Sequence, residues 1–330
     1  DRHGGDGTVH RRVDSGAVKS DDERVGGPSL AARSRRCNRH LDFSFNYQCW
    51  PPPGNTTPGG PDSCFSNISD TFAQQFAQQF VDMNVDSMLL EAVSDGGWAT
   101  FPSDHAPQWP QLASKRIDWL GEMTAAVRKR GIQPYFYMNV RSSAYLISPG
   151  PWGLGHSEWT WEDQNGTGSK DKTEEGGKIC YNAPGRIDQL VNLTKELVRR
   201  YRPAAVRYDG LYATYTDCRT AGDKRFWREL FGEEMPASAA PDHSDWPQLM
   251  QFYRASVTRL VRRLREAALS EDSSVHTWFN GFAQANSFWV SPEHFADMDA
   301  AFNYSDVAFI EFGQGGFWPA LLEGAIAPAH

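Results

Sequence analysis

The 330-residue chain contains no run of 18 apolar residues, so no segment is long and apolar enough to cross a bilayer as a helix. It has no CxxC pair, no HExxH and no HxH, and a metal-dependent hydrolase barrel therefore has no ligand pattern to build on. No glycine fingerprint follows the first apolar segment, which argues against a dinucleotide-binding fold. Basic charge is scarce: 33 Lys and Arg stand against 41 Asp and Glu, a net charge of −8 with no basic stripe. Nucleic acid is not an expected ligand. The chain begins at Asp1 without a Met, as expected of a fragment or a processed chain, and a trimmed chain would have lost any signal peptide.

What is present is an ordinary globular composition, 40% hydrophobic and 22% charged, with enough length for a large core. Aromatic residues make up 13%, including 12 Trp. Most aromatics belong in a core, but Trp in loops offers flat apolar faces suited to sugar rings. The 5 cysteines, at positions 37, 49, 64, 180 and 218, are irregularly spaced. N-x-S/T sequons occur at Asn55, Asn67, Asn165, Asn192 and Asn303. That many favours a secreted or lumenal glycoprotein, a setting that permits disulfides.

Residues 1–40 are rich in Gly, Arg, Asp and Ser without apolar periodicity, and are expected to be poorly ordered. From Leu41 on, apolar strands alternate with amphipathic helices. Strands are predicted at Leu41–Phe45, Val85–Glu91, Pro134–Asn139, Ala204–Asp209, Ser274–Asn280 and Val307–Glu311. Helices are predicted between them: from Asp70 with Phe72, Phe76, Phe80 and Met83 inward, from Ile117 to Gly131, from Ile187, over Asp223–Phe231, from Asp245, and from Ser291. Another helix should begin after Trp318. A loop of about 44 residues after the third strand is long enough to be functional.

Alternation of this kind implies a parallel sheet, and six units in series point to a (β/α)8 TIM barrel, expected here to be truncated after about six βα units. Barrel chemistry sits at the C-terminal ends of the strands. Those positions hold Glu91, Asn139, Asp209, Asn280 and Glu311. Any single strand-end acid can be a structural ion-pair member, but a pair of carboxylates facing one cleft is the equipment of glycoside hydrolysis, and three stand here on separate strands. Asp209 is the strongest candidate, because a strand delivers it to the rim and Gly210 leaves room around it. Arg207, two residues earlier, shares its face and can support its charge.

Arg200-Tyr201-Arg202-Pro203-Ala204-Ala205-Val206-Arg207-Tyr208-Asp209-Gly210 resembles the helix-into-strand segment of family-29 glycoside hydrolases, the α-L-fucosidases, whose Asp there is the nucleophile. Leu90 to Ser103 resembles their second-strand segment, which ends in Phe-Pro-Ser. Asp118 to Gly131 resembles their Asp-x-(apolar)-Gly-Glu helix. The likeness covers roughly residues 41–212 and departs at a telling place. The family's sugar-contacting His-His pair aligns with Ser94 and Asp95, and its first-strand His-Trp-Gly is replaced by Phe45-Asn46-Tyr47. The resemblance implies a retaining glycosidase barrel with Asp209 as nucleophile, without fixing fucose as the sugar.

The acid/base has no motif. Glu311 is the first choice, since Phe309 and Phe312 beside it would keep its carboxyl protonated. Glu91 and Glu162 follow. Substrate contacts are expected from Glu91, Asp95, Trp98, Asn139, Trp161, Arg207 and Asn280. Trp152, Trp159 and Trp161 on the long loop can either stack on sugars or pin that loop to the body. Cys180 and Cys218 follow the third and fourth strands at one rim, where they can form a disulfide or remain two thiols. The expected function is a fucosidase-like retaining glycoside hydrolase acting on an oligosaccharide or glycoconjugate, with no cofactor and no metal. A carbohydrate-binding barrel without catalysis is the alternative.

Overall fold

The computed structural model describes residues 40–43, 68, 71–94, 97–140, 159, 180–211, 218–236, 244–279 and 303–306. The chain divides into units Asp1–Cys37 and Asn38–His330, and every described residue lies in the second. In chain order the elements are β1 (His40–Phe43), α1 (Phe72–Asp82), β2 (Ser87–Val93), α2 (Pro110–Lys115), α3 (Trp119–Lys129), β3 (Gln133–Asn139), α4 (Arg186–Tyr201), β4 (Ala205–Asp209), α5 (Ala221–Phe231), α6 (Trp246–Glu271) and β5 (His276–Phe279).

The five strands are parallel and their order is β1-β2-β3-β4-β5, the order of the sequence itself. A doubly wound sheet reverses direction at a switch point. Here each new strand adds to the same edge, as successive strands do around a barrel. The predicted sixth strand and the helices from Ser291 and after Trp318 lie outside the described residues.

Local chemistry accounts for the elements. In α1, Phe72, Phe76 and Phe80 recur one turn apart and their rings contact in sequence, at 5.3 and 5.0 Å between centroids. Met83, expected on the same buried face, is 58% exposed, because the helix has ended and Met83 is its C-cap. Asp118 caps α3 by accepting the Gly121 N–H at 2.9 Å. A Cβ at Gly121 would sit 2.6 Å from Asp118 Oδ2, so this cap requires glycine. Thr220 and Asp223 form a reciprocal capping box on α5. The short α2 begins with Pro110 at its first turn, and six residues carry too little periodicity to be read from sequence.

The two faces of the sheet differ. Met88, Leu90, Phe136, Met138, Val206, Tyr208 and Phe279 point to the helices and join the main core. Tyr208 and Phe279 stack there at 4.9 Å, and burial pushes the Tyr208 phenol pKa up. Residues between them in sequence point to the other face. Register pairs Glu91 with Tyr137, Tyr137 with Arg207, and Arg207 with Trp278, giving one row across four strands. Asn139 and Asp209 form the next row toward the C-terminal ends.

Beyond β5 the chain docks again on the sheet. The Asp306 N–H donates to the Thr277 carbonyl at 2.8 Å, and Asp306 Oδ2 accepts the Thr277 N–H at 2.8 Å. Arg265 of α6 grips the same carboxylate through both guanidinium nitrogens, at 2.6 and 2.8 Å. Burial works to raise the Asp306 pKa, but the bonds from Arg265 and Thr277 outweigh it and hold the pKa below the usual carboxylate value.

Candidate active site

Asp209 ends β4 and is partly exposed at the C-terminal edge of the sheet. Two donors orient its carboxylate: the Tyr137 hydroxyl to Oδ2 at 2.8 Å and the Gly210 N–H to Oδ1 at 2.7 Å. Its own carbonyl accepts the Val140 N–H at 2.9 Å, extending the β3–β4 ladder past the last paired residues. Asn139 Nδ2 donates to the Tyr137 hydroxyl at 3.3 Å, so Tyr137 relays between Asn139 and Asp209. Gly210 has φ +78°, the left-handed region that glycine enters without strain.

One row below, the Arg207 guanidinium lies between two rings, 5.7 Å from the Tyr137 centroid and 5.1 Å from that of Trp278. Arg207 is 5% exposed, and a desolvated guanidinium flanked by π faces is held firmly in place. Glu91 is 0% exposed in the same row, one strand from Tyr137 and two from the Asp209 strand. Asp209, Asn139, Arg207 and Glu91 are thus brought to one face at one end of the sheet.

Other predicted residues are placed differently or lie beyond reach. Trp98 is 1% exposed and packs on Trp109 at 5.9 Å within the core, which leaves no ring face for a sugar. The β2 strand carries an irregularity between Glu91 and Val93, which shifts the side-chain alternation just before the rim. Ser94, aligned with a family His, is tied into the next turn: its Oγ accepts the Trp98 N–H at 3.2 Å, and its carbonyl accepts the Gly97 N–H at 2.8 Å. Asp95, Trp161, Asn280, Glu311, Glu162 and Trp152 lie outside the described residues.

Trp159 takes the anchoring role. It is buried, its indole N–H donates to the Pro184 carbonyl at 2.7 Å, and the Arg186 guanidinium sits 5.5 Å from its ring centroid. Arg186 itself is buried at the start of α4 and donates to the Val140 carbonyl at 2.8 Å. Burial pushes its pKa down to about 9, still charged at neutral pH. Cys180 and Cys218 are joined in a disulfide with Cα atoms 5.7 Å apart. Ligand atoms of Cys180, Cys218 and Asp223 lie within 4.8 Å of one another, a spacing a metal could use. Their chemistry does not fit one in this form, because the sulfurs are bonded together. The Asp223 oxygens are engaged by Thr220 and Asn182. Burial raises the Asp223 pKa.

Tyr137, Trp278 and Tyr181 were not singled out by sequence. Stepping back by two from Asn139 reaches Tyr137, so strand alternation carried a signal for the first; Trp278 falls between Thr277 and Phe279 on the same logic.

A second polar cluster forms on the helix side. Glu196 of α4, buried, accepts from the Ser103 hydroxyl at 2.6 Å and pairs with Arg200 at 2.9 Å. Arg200 also donates to the Pro102 carbonyl and lies 5.5 Å from the Phe101 ring centroid. The Tyr201 hydroxyl donates to Asp118 Oδ2 at 2.9 Å, and burial together with that carboxylate pushes the phenol pKa up. Phe101-Pro102-Ser103, Asp118 and Arg200-Tyr201, from three separate chain segments, meet here.

No protein-family model matches the sequence. No curated protein matches it either. Among solved structures, α-L-fucosidase isoenzyme 2 from Paenibacillus thiaminolyticus is similar with a TM-score of 0.56 at 18% identity, over 78% of this chain and 34% of that one. The α-L-fucosidase GH29 from Bacteroides thetaiotaomicron aligns at TM-score 0.35 and 16% identity over 62% and 33%. A β-galactosidase from Rahnella sp. R3 aligns at 0.49 and 10% over 70% and 35%. The chain therefore spans about a third of the length of these proteins. The first of these likenesses shows a fold shared with a glycosidase, a parallel α/β sheet with helices on one face.

Proposed function

We propose that the chain is the catalytic barrel, or part of it, of a retaining glycoside hydrolase resembling α-L-fucosidases, with Asp209 as nucleophile and Glu311 as acid/base. The observation that carries the reading is the Asp209 carboxylate, partly exposed at the C-terminal end of β4 and held by two donated hydrogen bonds. A nucleophile must meet the anomeric carbon from a fixed direction, and oriented donors supply that direction.

In the first step a carboxylate oxygen of Asp209 attacks the anomeric carbon. The glycosidic C–O bond breaks as Glu311 gives its proton to the departing oxygen. In the second, Glu311 as carboxylate takes a proton from water, the water oxygen attacks the same carbon, and Asp209 leaves. Arg207, held between two rings beneath the site, supplies positive charge near the anionic residues. Asn139, Asp95, Asn280 and Trp161 are the proposed contacts to the sugar.

Glu311 is taken as partner from the sequence, where Phe309 and Phe312 flank it and would favour its protonated form. Fucosidase activity as such draws on the segment likeness, and the replacement of the His pair argues for a different or modified sugar. Secretion and glycosylation follow from the sequons; the described ones, Asn192 and Asn303, are exposed.

A panel of aryl glycosides, followed by ¹H NMR of the first anomer released, tests the proposal. Hydrolysis with retention supports it, and inversion refutes it. Binding of sugars without hydrolysis of any glycoside would establish the non-catalytic barrel instead.

A further inference from the structure

The residue after the nucleophile is a glycine, and glycine is the residue least able to hold its own backbone still. Gly210 nonetheless donates its N–H to Asp209 Oδ1 at 2.7 Å, so the aim of the carboxylate depends on the conformation of Gly210. On its other side, the Gly210 carbonyl accepts a hydrogen bond from the Tyr181 hydroxyl. Tyr181 is 9% exposed and lies in the turn that enters α4, well away from β4 in sequence. Its neighbour Cys180 is buried and bonded to Cys218, and this disulfide, across a sequence separation of 38, brackets α4, β4 and Asp209. Further backbone bonds fix the turn, from Cys180 N–H to the Trp159 carbonyl at 2.9 Å and from Ala183 N–H to the Cys180 carbonyl at 3.1 Å.

We propose that Tyr181, held by the Cys180–Cys218 disulfide, is a positioning residue that aims Asp209 by fixing the carbonyl side of Gly210. The inference rests on the reading of Asp209 as nucleophile. Tyr181 touches no reacting atom. It acts by holding the carbonyl of a flexible residue whose N–H holds the carboxylate. Without the hydroxyl, Gly210 regains backbone freedom and the carboxylate loses the bond from the Gly210 N–H for part of the time.

Tyr181→Phe tests this, since it keeps the ring and its packing and removes only the hydroxyl. The Gly210 amide should exchange with solvent about tenfold faster, read by hydrogen-exchange NMR on the intact chain. On the best aryl glycoside, kcat should fall about ten- to a hundredfold with KM within about twofold, because misaim of a nucleophile affects the chemical step and not substrate capture. Unchanged exchange at Gly210 overturns the proposal. Faster exchange with wild-type kcat in an active enzyme also overturns it. Faster exchange in a protein that hydrolyses no glycoside upholds the Tyr181–Gly210–Asp209 linkage and removes the nucleophile reading alone. Should Tyr181→Phe fail to fold, Cys218→Ser supplies the second arm: its Gly210 amide should exchange about threefold faster, and wild-type exchange there overturns the role given to the disulfide.

Discussion

The sheet carries a polar cluster on each side, and the two are built for different ends. On the helix side Ser103, Asp118, Glu196, Arg200 and Tyr201 close on one another, with Glu196 buried and both its oxygens engaged. At the mouth, Asp209 is oriented by two donors yet stays partly exposed. A closed cluster fixes how three chain segments meet; an oriented but open carboxylate can meet a substrate. The closed cluster ties three chain segments together and so serves the scaffold. Near the open edge, the Ser94 hydroxyl oxygen accepts the Trp98 N–H. Scaffold and open carboxylate are therefore separable in this chain.

The separation can be broken from either side. The largest effect is expected at the mouth: Asp209→Asn should lower kcat by about a thousandfold or more with an unchanged melting temperature, measured by aryl-glycoside kinetics and calorimetry. A matched loss of stability would place Asp209 with the scaffold. Next, Glu196→Ala should destabilise the protein by about 3 kcal/mol in urea unfolding, since it leaves Ser103 and Arg200 without their buried partner. Its kcat per folded molecule should stay within about twofold. Loss of kcat at full stability would mean that the helix-side cluster reaches the chemistry.

Tyr137→Phe sharpens the contrast further. The ring beneath Arg207 remains while the bond to Asp209 Oδ2 and the one accepted from Asn139 Nδ2 go, so kcat should fall about tenfold with little change in unfolding. The smallest effect concerns pH. The Asp306 pKa is lowered in the fold, so its contribution to stability is present above the unfolded value of about 4 and disappears as pH falls through the lower folded value. Asp306→Asn should therefore flatten the acid limb of the stability profile while leaving kcat at neutral pH unchanged. An unaltered acid limb would show that the Arg265 contact does not stabilise the fold.

The legible part of this molecule was what recurs at short range. The strands at Ser87–Val93, Gln133–Asn139, Ala205–Asp209 and His276–Phe279 lie within a few residues of their sequence-predicted ranges, because apolar runs between helix caps declare themselves. The position of Asp209 at the end of a strand was legible from the apolar run before it and Gly210 after it. The Glu196–Ser103 bond, between residues 93 apart, has no local signature. Neither has the Tyr181–Gly210 bond, which only the folding of the turn before α4 against β4 creates. Trp98 misled because a Trp near a strand end looks the same in sequence whether its ring faces a cleft or, as here, Trp109. Met83 misled because helical spacing continues on paper past the residue where α1 stops.

The central claim is that Asp209 forms a covalent bond to the sugar. An activated 2-deoxy-2-fluoro glycoside of the best substrate, added to the intact protein, slows the second step and lets the glycosyl-enzyme accumulate. Peptide mass spectrometry should then find one added fluoroglycosyl group on the peptide containing Asp209, with none after Asp209→Asn. A label on Glu91 or any other carboxylate, or steady hydrolysis of the parent substrate by Asp209→Asn, would contradict the account.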